Sequence, residues 1–237
     1  MKLRFLNMII KLIRHGQSES NTGSVLTHHV GDHKIHLTQE GISQAKKVGE
    51  IIGKEFIENS LFYRSPYART RETSIALMHG AGISEKEIKI MEDPRLREAE
   101  RGYVDAESQH QLRELHGWFY YRHAGGESPA DVYDRSSAFM ESVMRQIKRS
   151  QKDNILIVTH GMTIRCLIAR FLHLSVEQFE QMKNPHNCAV ITILPTQQNK
   201  EPTIFSHKKW SVIGDLALYR PEPEPINILE DILQLKK

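Results

Sequence analysis

The stretch that decides the fold is Met8–Gly16 (MIIKLIRHG), an apolar run that ends in a His-Gly pair. A second stretch, Ile155–Gly161 (ILIVTHG), repeats this pattern much later in the chain. Both runs are short and rich in β-branched residues, which favours buried parallel strands over helices. Each histidine then follows the carboxyl end of a strand, and in an open α/β sheet ligands bind at that edge. We therefore predict that His15 and His160 face one pocket, although each His-Gly pair taken alone is equally consistent with an ordinary turn.

Length and composition are those of an ordinary globular protein. The chain has 237 residues, of which 39% are hydrophobic and 26% charged, so one domain with a large core is sufficient. A net charge of +3 with a pI near 8.8 is too mild to predict a nucleic-acid partner. No apolar run approaches the roughly 18 residues of a membrane-spanning helix, so we expect no membrane partner.

The cysteines and the first residues bear on the cellular compartment. Cys166 and Cys188 have neither CxxC nor zinc-finger spacing, which is typical of a reduced, cytoplasmic protein. The start, Met1–Leu6, is basic and then apolar like a signal peptide, but Lys11 interrupts the apolar stretch and no small-residue cleavage site follows. We predict a cytoplasmic location, and the sequence does not indicate an oligomeric state.

Strand and helix signals alternate between these two stretches. Further strands are predicted at 61–64, 88–91 and 189–194, and helices from Thr38 to about Glu55, from Ser65 through Leu77, from Pro129 to Arg149 and from Thr163 to Leu172. The helix from Pro129 carries Ser128 as its N-cap and Asp131 at the capping-box position. The alternation predicts an α/β fold, a three-layer sandwich with a mostly parallel central sheet and helices on both faces.

Three segments fall outside this alternation. Residues 17–37 are polar and predict a long loop, and loops of that length in compact domains tend to be functional. Residues of about 103–124 are rich in aromatic side chains and are interpreted as an insertion that covers the pocket. The main α/β domain is predicted over residues 1–220. A Pro/Glu linker and a short C-terminal amphipathic helix follow at 221–237.

Six residues suited to phosphate chemistry are candidates to converge on the pocket: Arg14, His15, Asn21, Arg69, Glu98 and His160. Arginine donates in a planar, bidentate fashion to phosphate oxygens, and asparagine and histidine add further donors. A neutral imidazole is a competent nucleophile toward phosphorus, and it needs no metal where enough donors neutralise the developing charge. A carboxylic acid supplies the proton that an alkoxide leaving group needs. The alternatives are that Arg69 is a surface residue and that Glu98 belongs to a solvated run of charged residues.

The chain resembles the histidine phosphatase superfamily, which includes cofactor-dependent phosphoglycerate mutases, fructose-2,6-bisphosphatases and many phosphatases. The resemblance runs from about residue 8 to 194, and five motifs in order are far more specific than any one of them. The motifs are Arg14-His15-Gly16-Gln17-Ser18 with Asn21, Leu37-Thr38-x-x-Gly41, Ser65-Pro66-Tyr67-Ala68-Arg69-Thr70-x-x-Thr73, Leu96-Arg97-Glu98 and Val158-Thr159-His160-Gly161.

The resemblance implies a role for each matched residue. His15 is the implied nucleophile, which forms a phosphohistidine. Glu98 is the implied general acid and then the base for water, and Gly161 contributes a backbone N–H. The implied ligands of the phosphoryl oxygens are Arg14, Arg69, Asn21 and His160. No cofactor and no metal is implied, and the implied partner is a small phosphorylated substrate.

Three functions remain open on the sequence alone. The leading hypothesis is a metal-independent phosphomonoesterase, and the second is a phosphoglycerate mutase-type phosphotransferase. Mutases of the family grip their substrate with basic residues on the insertion, for which Arg113, Arg122 and His123 are candidates, but no pair of adjacent arginines is present. The third is a non-catalytic phospho-ligand binding protein. The two histidines and Glu98 argue against it, because binding alone needs no proton donor.

Two further clusters admit more than one interpretation. The histidines at 28, 29, 33 and 36 suggest a metal site, but their irregular spacing favours a loop that borders the pocket. The aromatic run Trp118–Tyr121 is interpreted as an apolar lid or core, with a nucleotide-stacking platform as the alternative.

Overall fold

The computed structural model describes residues 7–25, 30–102 and 106–219, without the side chains of residues 106–110. The predicted linker and helix at 221–237, the signal-like start at 1–6, and the loop histidines His28 and His29 lie outside the described residues. Within them, strands and helices alternate as the sequence predicts.

Seven strands form one sheet among the described residues. They are β1 (Ile10–Arg14), β2 (Ser60–Arg64), β3 (Ile90–Glu92), β4 (Asn154–Thr159), β5 (Val190–Pro195), β6 (Phe205–His207) and β7 (Trp210–Gly214). The helices are α1 (Gln39–Ile52), α2 (Lys54–Glu58), α3 (Ala68–Gly80), α4 (Ala106–His116), α5 (Pro129–Arg149), α6 (Gly161–Leu172) and α7 (Val176–Gln181). Short 3-10 helices lie at Asp32–Lys34, Pro94–Leu96 and Thr196–Gln198.

The strand order is β3-β2-β4-β1-β5-β7-β6, and its first four strands are parallel. In the central pair, Arg14 of β1 lies opposite Thr159 of β4. The residues that follow each strand, His15 and His160, therefore leave the sheet side by side at its carboxyl edge. The register of one parallel pair thus creates the convergence that the two His-Gly stretches predict.

The other half of the sheet is antiparallel, so the sheet is mixed. β5 runs antiparallel to β1, and β7 and β6 extend the sheet by further antiparallel pairing. β5 enters from the carboxyl edge, because the Cys188 N–H donates to the His15 carbonyl and the Arg14 N–H donates to that of Ala189. The segment before β5 thereby becomes a wall of the candidate site. The sequence analysis did not identify β6, β7 or α7.

Two apolar clusters cover the two faces of the sheet, which confirms the α/β, three-layer prediction. Alternate residues of a strand point to opposite faces. Accordingly Leu12 and Ile157 join one cluster with α5 and α6, whereas Ile13 and Leu156 join the other with α1 and α3.

The helix boundaries follow local chemistry. The capping box predicted at Ser128 and Asp131 is present, with both reciprocal hydrogen bonds formed. α1 ends three residues before the predicted Glu55, because Gly53 adopts a φ of 78° and breaks the helix. α3 begins at Ala68 rather than at Pro66, since Tyr67 is still extended and serves as the N-cap.

Candidate active site

His15 is buried directly after β1, with 3% of its surface exposed. Its backbone N–H donates to the Thr159 carbonyl at 2.9 Å, which locks it beside β4. Its ring Nδ1 lies 2.8 Å from the Gly16 carbonyl oxygen. A carbonyl only accepts, so Nδ1 carries the proton and Nε2 keeps its lone pair. Burial, followed by the charges of Arg69 and Arg14, holds the pKa of His15 well below 6.5, so the ring is neutral at pH 7.

Two glycines allow the backbone after His15 to pass against α1. A Cβ on Gly16 would lie 2.4 Å from the Gly41 carbonyl oxygen, and a Cβ on Gly41 would lie 2.1 Å from that of Gln17. Both distances are well inside van der Waals contact, so neither position accommodates a side chain. The Gly16 N–H also donates to Thr73 Oγ1 at 3.0 Å. This close approach accounts for glycine at two separate motif positions.

His160 is fully buried between β4 and α6, and its ring centroid lies 5.2 Å from that of His15. Its Nε2 is 2.8 Å from Ser65 Oγ, which itself accepts from the Tyr67 N–H at 3.4 Å. The Ser65 hydroxyl has no other acceptor among the described residues, so we assign its proton to the bond with Nε2 and the His160 proton to Nδ1. That Nδ1 is buried without a hydrogen-bond partner among the described residues. Burial, with Arg69 and His15, lowers the pKa of His160 well below 6.5.

Arg14 carries a second unpartnered donor. Its Nη1 donates to the Pro185 carbonyl at 2.5 Å, whereas its buried Nε has no partner within the part of the chain that the structure describes. Burial lowers the pKa of Arg14, and Glu98 opposes that shift. Buried N–H groups are nearly always paired, so this donor and His160 Nδ1 indicate a space for an acceptor.

Arg69 lies in the first turn of α3 and is almost fully buried, which excludes the alternative of a surface residue. Its partner is Asp32, whose carboxylate Oδ1 lies 2.9 Å from Arg69 Nη1. The guanidinium also stacks over the Tyr67 ring at 5.0 Å. Sequence reasoning missed Asp32, because its only signal was an acid within a polar loop.

Glu98 is half-buried beside the start of α6. Its carboxylate accepts from its neighbour Ala99 N–H at 2.9 Å and lies 3.5 Å from the Met162 N–H. The loop that carries it is tied to β4 by Thr159 Oγ1, which donates to the Leu96 carbonyl at 2.6 Å. The adjacent Arg97 is paired with Glu127. Glu98 therefore lies at the histidine edge of the sheet instead of in a solvated charge run.

Asn21 and Gly161 occupy the borders of the site. Asn21 Oδ1 accepts from Asn187 Nδ2 at 2.9 Å, and the same Nδ2 lies 3.2 Å from the His15 carbonyl. Ser18 also donates to Oδ1, from its backbone N–H at 3.1 Å and its hydroxyl at 3.0 Å, so the amide nitrogen of Asn21 is the group left for a ligand. Gly161 is the first residue of α6, where backbone N–H groups lack helical acceptors, and Asn184 packs against its Cα. Asn184 and Asn187 carried no motif signal.

The insertion is anchored on the core by aromatic side chains. Phe119 is buried, and Trp118 stacks on Phe179 at 5.6 Å. Arg113 lies over the Trp118 ring, with its guanidinium carbon 5.3 Å from the ring centroid.

Arg122 is paired with an acidic side chain at the start of α5. It forms a two-pronged ion pair with Asp131, in which its Nε donates to Oδ2 at 2.8 Å. Of the three basic residues considered for a mutase-type grip, Arg122 is thus engaged at the N-terminus of α5.

The described histidines of the 17–37 loop contact neighbouring side chains. His36 Nδ1 lies 2.5 Å from Glu72, which raises the pKa of His36. His33 approaches the Tyr67 ring edge-on at 6.4 Å, and Tyr67 in turn packs on His160 at 5.1 Å. Among residues 7–25, 30–102 and 106–219, no three His, Cys, Asp or Glu side chains are grouped to hold a metal ion. No helix in these ranges is long and apolar enough to cross a membrane.

Known proteins share both the sequence and the fold of this chain. The family model of the histidine phosphatase superfamily (branch 1) matches residues 10–206. The phosphoglycerate mutase-like protein AT74 of Arabidopsis thaliana is 36% identical, over 92% of this chain and 73% of its own length. The broad-range acid phosphatase DET1 of Saccharomyces cerevisiae is 25% identical, over 78% of this chain and 84% of its own.

A solved structure gives the same result for the fold. The mycobacterial glucosyl-3-phosphoglycerate phosphatase superposes with a TM-score of 0.68 at 22% identity, over 89% of this chain and 99% of its own. The chain belongs to branch 1 of the histidine phosphatase superfamily and is a phosphatase-type enzyme of that family.

Proposed function

We propose that this protein hydrolyses small phosphate monoesters without a metal, through a phosphohistidine on His15. The observation that carries the proposal is the pair of buried, unpartnered donors, Arg14 Nε and His160 Nδ1, beside a neutral His15. A phosphoryl group supplies the missing acceptors, and His15 Nε2 supplies the lone pair. A binding module needs the donors but has no use for a neutral, oriented nucleophile.

In the first step, the His15 Nε2 lone pair attacks phosphorus and the bond to the ester oxygen breaks. Charge that builds on the phosphoryl oxygens is stabilised by fixed donors. The proposed donors are Arg14, Arg69, the Asn21 amide, His160 and the Gly161 N–H. Glu98 protonates the departing oxygen, so an alcohol leaves and the phosphoryl group stays on His15.

In the second step, Glu98, now ionised, takes a proton from water as the water oxygen attacks phosphorus. The His15–phosphorus bond breaks, inorganic phosphate leaves, and both residues return to their starting states. Two cationic arginines, with the N–H donor of His160, supply the positive field that a metal supplies in other phosphatases. Activity is accordingly expected to survive exhaustive EDTA treatment, and a loss restored by Mg²⁺ or Zn²⁺ would contradict this part of the proposal.

The central test is His15→Ala, with His79→Ala as a matched control. His79 is an exposed histidine on α3, far along the helix from the site. We expect His15→Ala to abolish hydrolysis of p-nitrophenyl phosphate, together with the acid-labile, alkali-stable phosphoryl label trapped on the wild type. His79→Ala should keep both. A His15→Ala variant with wild-type turnover would refute the proposal.

The mutase alternative uses the same pocket and differs in what happens to the first product. Phosphatases and a mutase-like protein are both among the relatives. The ion pair of Arg122 with Asp131 favours hydrolysis, because it removes one cation that would retain a departing phosphoglycerate. The free state of the buried Cys166 and Cys188 fits a reducing compartment such as the cytoplasm.

A further inference from the structure

Asp32 engages Arg69 through one edge of the guanidinium. Arg69 Nη1 lies 2.6 Å from the Asp32 carbonyl oxygen and 2.9 Å from its Oδ1, and Nη2 lies 3.0 Å from Oδ2. Arg69 has 4% of its side chain exposed, and Asp32 has 24%. This is the closest set of contacts that Arg69 makes in the described structure, and it comes from a loop, not from the sheet.

The geometry leaves the other edge of the guanidinium open. An arginine has five N–H bonds in a rigid fork, and Asp32 occupies those of Nη1 and one of Nη2. The remaining Nη2 hydrogen and the Nε hydrogen are parallel, which is the arrangement that binds two phosphate oxygens at once. No described residue accepts a hydrogen bond from Arg69 Nε.

The loop around Asp32 is itself held in place. Glu72, one turn after Arg69 on α3, accepts from the Leu37 N–H at 2.7 Å and contacts His36. His33, the neighbour of Asp32, approaches Tyr67, which contacts both Arg69 and His160. The segment at 30–37 thus reaches two of the groups that border the phosphoryl pocket.

We propose that Asp32 is a positioning residue, which clamps the terminal edge of Arg69 so that the Nε edge is presented to the phosphoryl group. The assignment rests on the proposed function, since it needs a phosphoryl group in this pocket. Without the clamp, a long arginine side chain loses its single orientation, and the bidentate contact forms less often. Asp32 acts through Arg69 and does not touch the substrate.

The alternative role for Asp32 predicts the opposite effect on phosphate affinity. A carboxylate that merely fills the place of a phosphate would compete with substrate, and its removal would tighten phosphate binding. Equilibrium binding of inorganic phosphate and of orthovanadate therefore separates the two roles without depending on turnover.

The experiment compares Asp32→Ala, Asp32→Asn and Asp215→Ala in the full chain, with thermal unfolding as a check of folding. Asp215 is an exposed acid beyond β7, so its variant controls for the loss of one surface charge. For Asp32→Ala we expect phosphate and vanadate to bind about tenfold to a hundredfold more weakly, because a small displacement of a positioned group has effects of that size. Asp32→Asn keeps an oxygen acceptor and should lose less, and Asp215→Ala should match the wild type.

A double-mutant cycle tests whether Asp32 acts through Arg69. In an Arg69→Ala background, Asp32→Ala should not weaken vanadate binding further. It should instead raise the affinity for vanadate, because it removes a carboxylate that no longer has a partner. Tighter or unchanged binding in the single Asp32→Ala variant would overturn the assignment, as would an equal loss in both backgrounds. Failure of the proposed function is distinguishable, since the wild type would then form no phosphohistidine whatever the Asp32 variants bind.

Discussion

Replacing Ser65 with alanine removes the hydroxyl that holds Nε2 of His160. Both residues are fully buried, and the hydrogen bond between them is 2.8 Å long. A buried acceptor left without its donor costs about 1–3 kcal/mol of stability. For a domain of this size, that cost lowers the Tm by roughly 2–12 °C.

The same change affects catalysis through the position of one proton. With the hydroxyl in place, the His160 proton is directed to Nδ1, toward the proposed phosphoryl site. Without it, the neutral ring has no reason to favour that tautomer, so the donor is present only part of the time. If the two tautomers become equally populated, the donor is present about half of the time, so kcat/KM is expected to fall about twofold, well short of the 10²–10³ that removal of a whole fixed donor costs.

Ser136→Ala is the matched control for this experiment. Ser136 is also fully buried, but its Oγ has no hydrogen-bond partner in the described structure, so its removal should leave stability and activity unchanged or slightly raise stability. Initial rates on p-nitrophenyl phosphate, measured well below both unfolding transitions, give kcat/KM, and scanning calorimetry gives Tm. A Ser65→Ala variant that matches Ser136→Ala in kcat/KM would refute the tautomer argument.

Three further outcomes are expected. Glu98→Gln should slow alkyl phosphates at least about 100-fold but p-nitrophenyl phosphate much less, because nitrophenolate leaves without a proton; equal losses in kcat would remove Glu98 from the acid role. Since burial holds the pKa values of His15 and His160 below 6.5, the unfolded chain binds protons that the folded chain does not, and stability is lost as the pH falls below 6.5. For each histidine, the free energy of unfolding falls by up to about 1.4 kcal/mol per pH unit. Urea unfolding of variants that lack these histidines should show a weaker dependence of this free energy on pH, and an unchanged dependence would contradict the prediction. Because Arg122 is held by Asp131, phosphate release should exceed 3-to-2-phosphoglycerate isomerisation even with 2,3-bisphosphoglycerate present, and a coupled assay in which isomerisation is faster would favour the mutase.

The parts of the fold that sequence predicts are those in which neighbouring residues determine the outcome. The apolar runs before His15 and His160 predict strands because their period and β-branching are local properties. The capping box at Ser128 is equally local and is formed as predicted. By contrast β6 and β7 are short strands that form a hairpin with each other, and β7 joins the sheet only by pairing with β5, so no hydrophobic pattern in the sequence singles them out.

The candidate site divides in the same way. Sequence alone determined which chemistry is available, because Arg14, His15, Glu98 and His160 stand in motifs whose residue types suit phosphate. Only the tertiary structure decided how each group is used. The protonated nitrogen of each histidine depends on Gly16 and Ser65, and the free edge of Arg69 depends on Asp32. Gly16 is the neighbour of His15, and packing against α1 sets the path of its backbone. Ser65 and Asp32 lie far along the chain from the groups they bind, and a hydrogen bond between distant residues depends on their separation in space, which only packing sets.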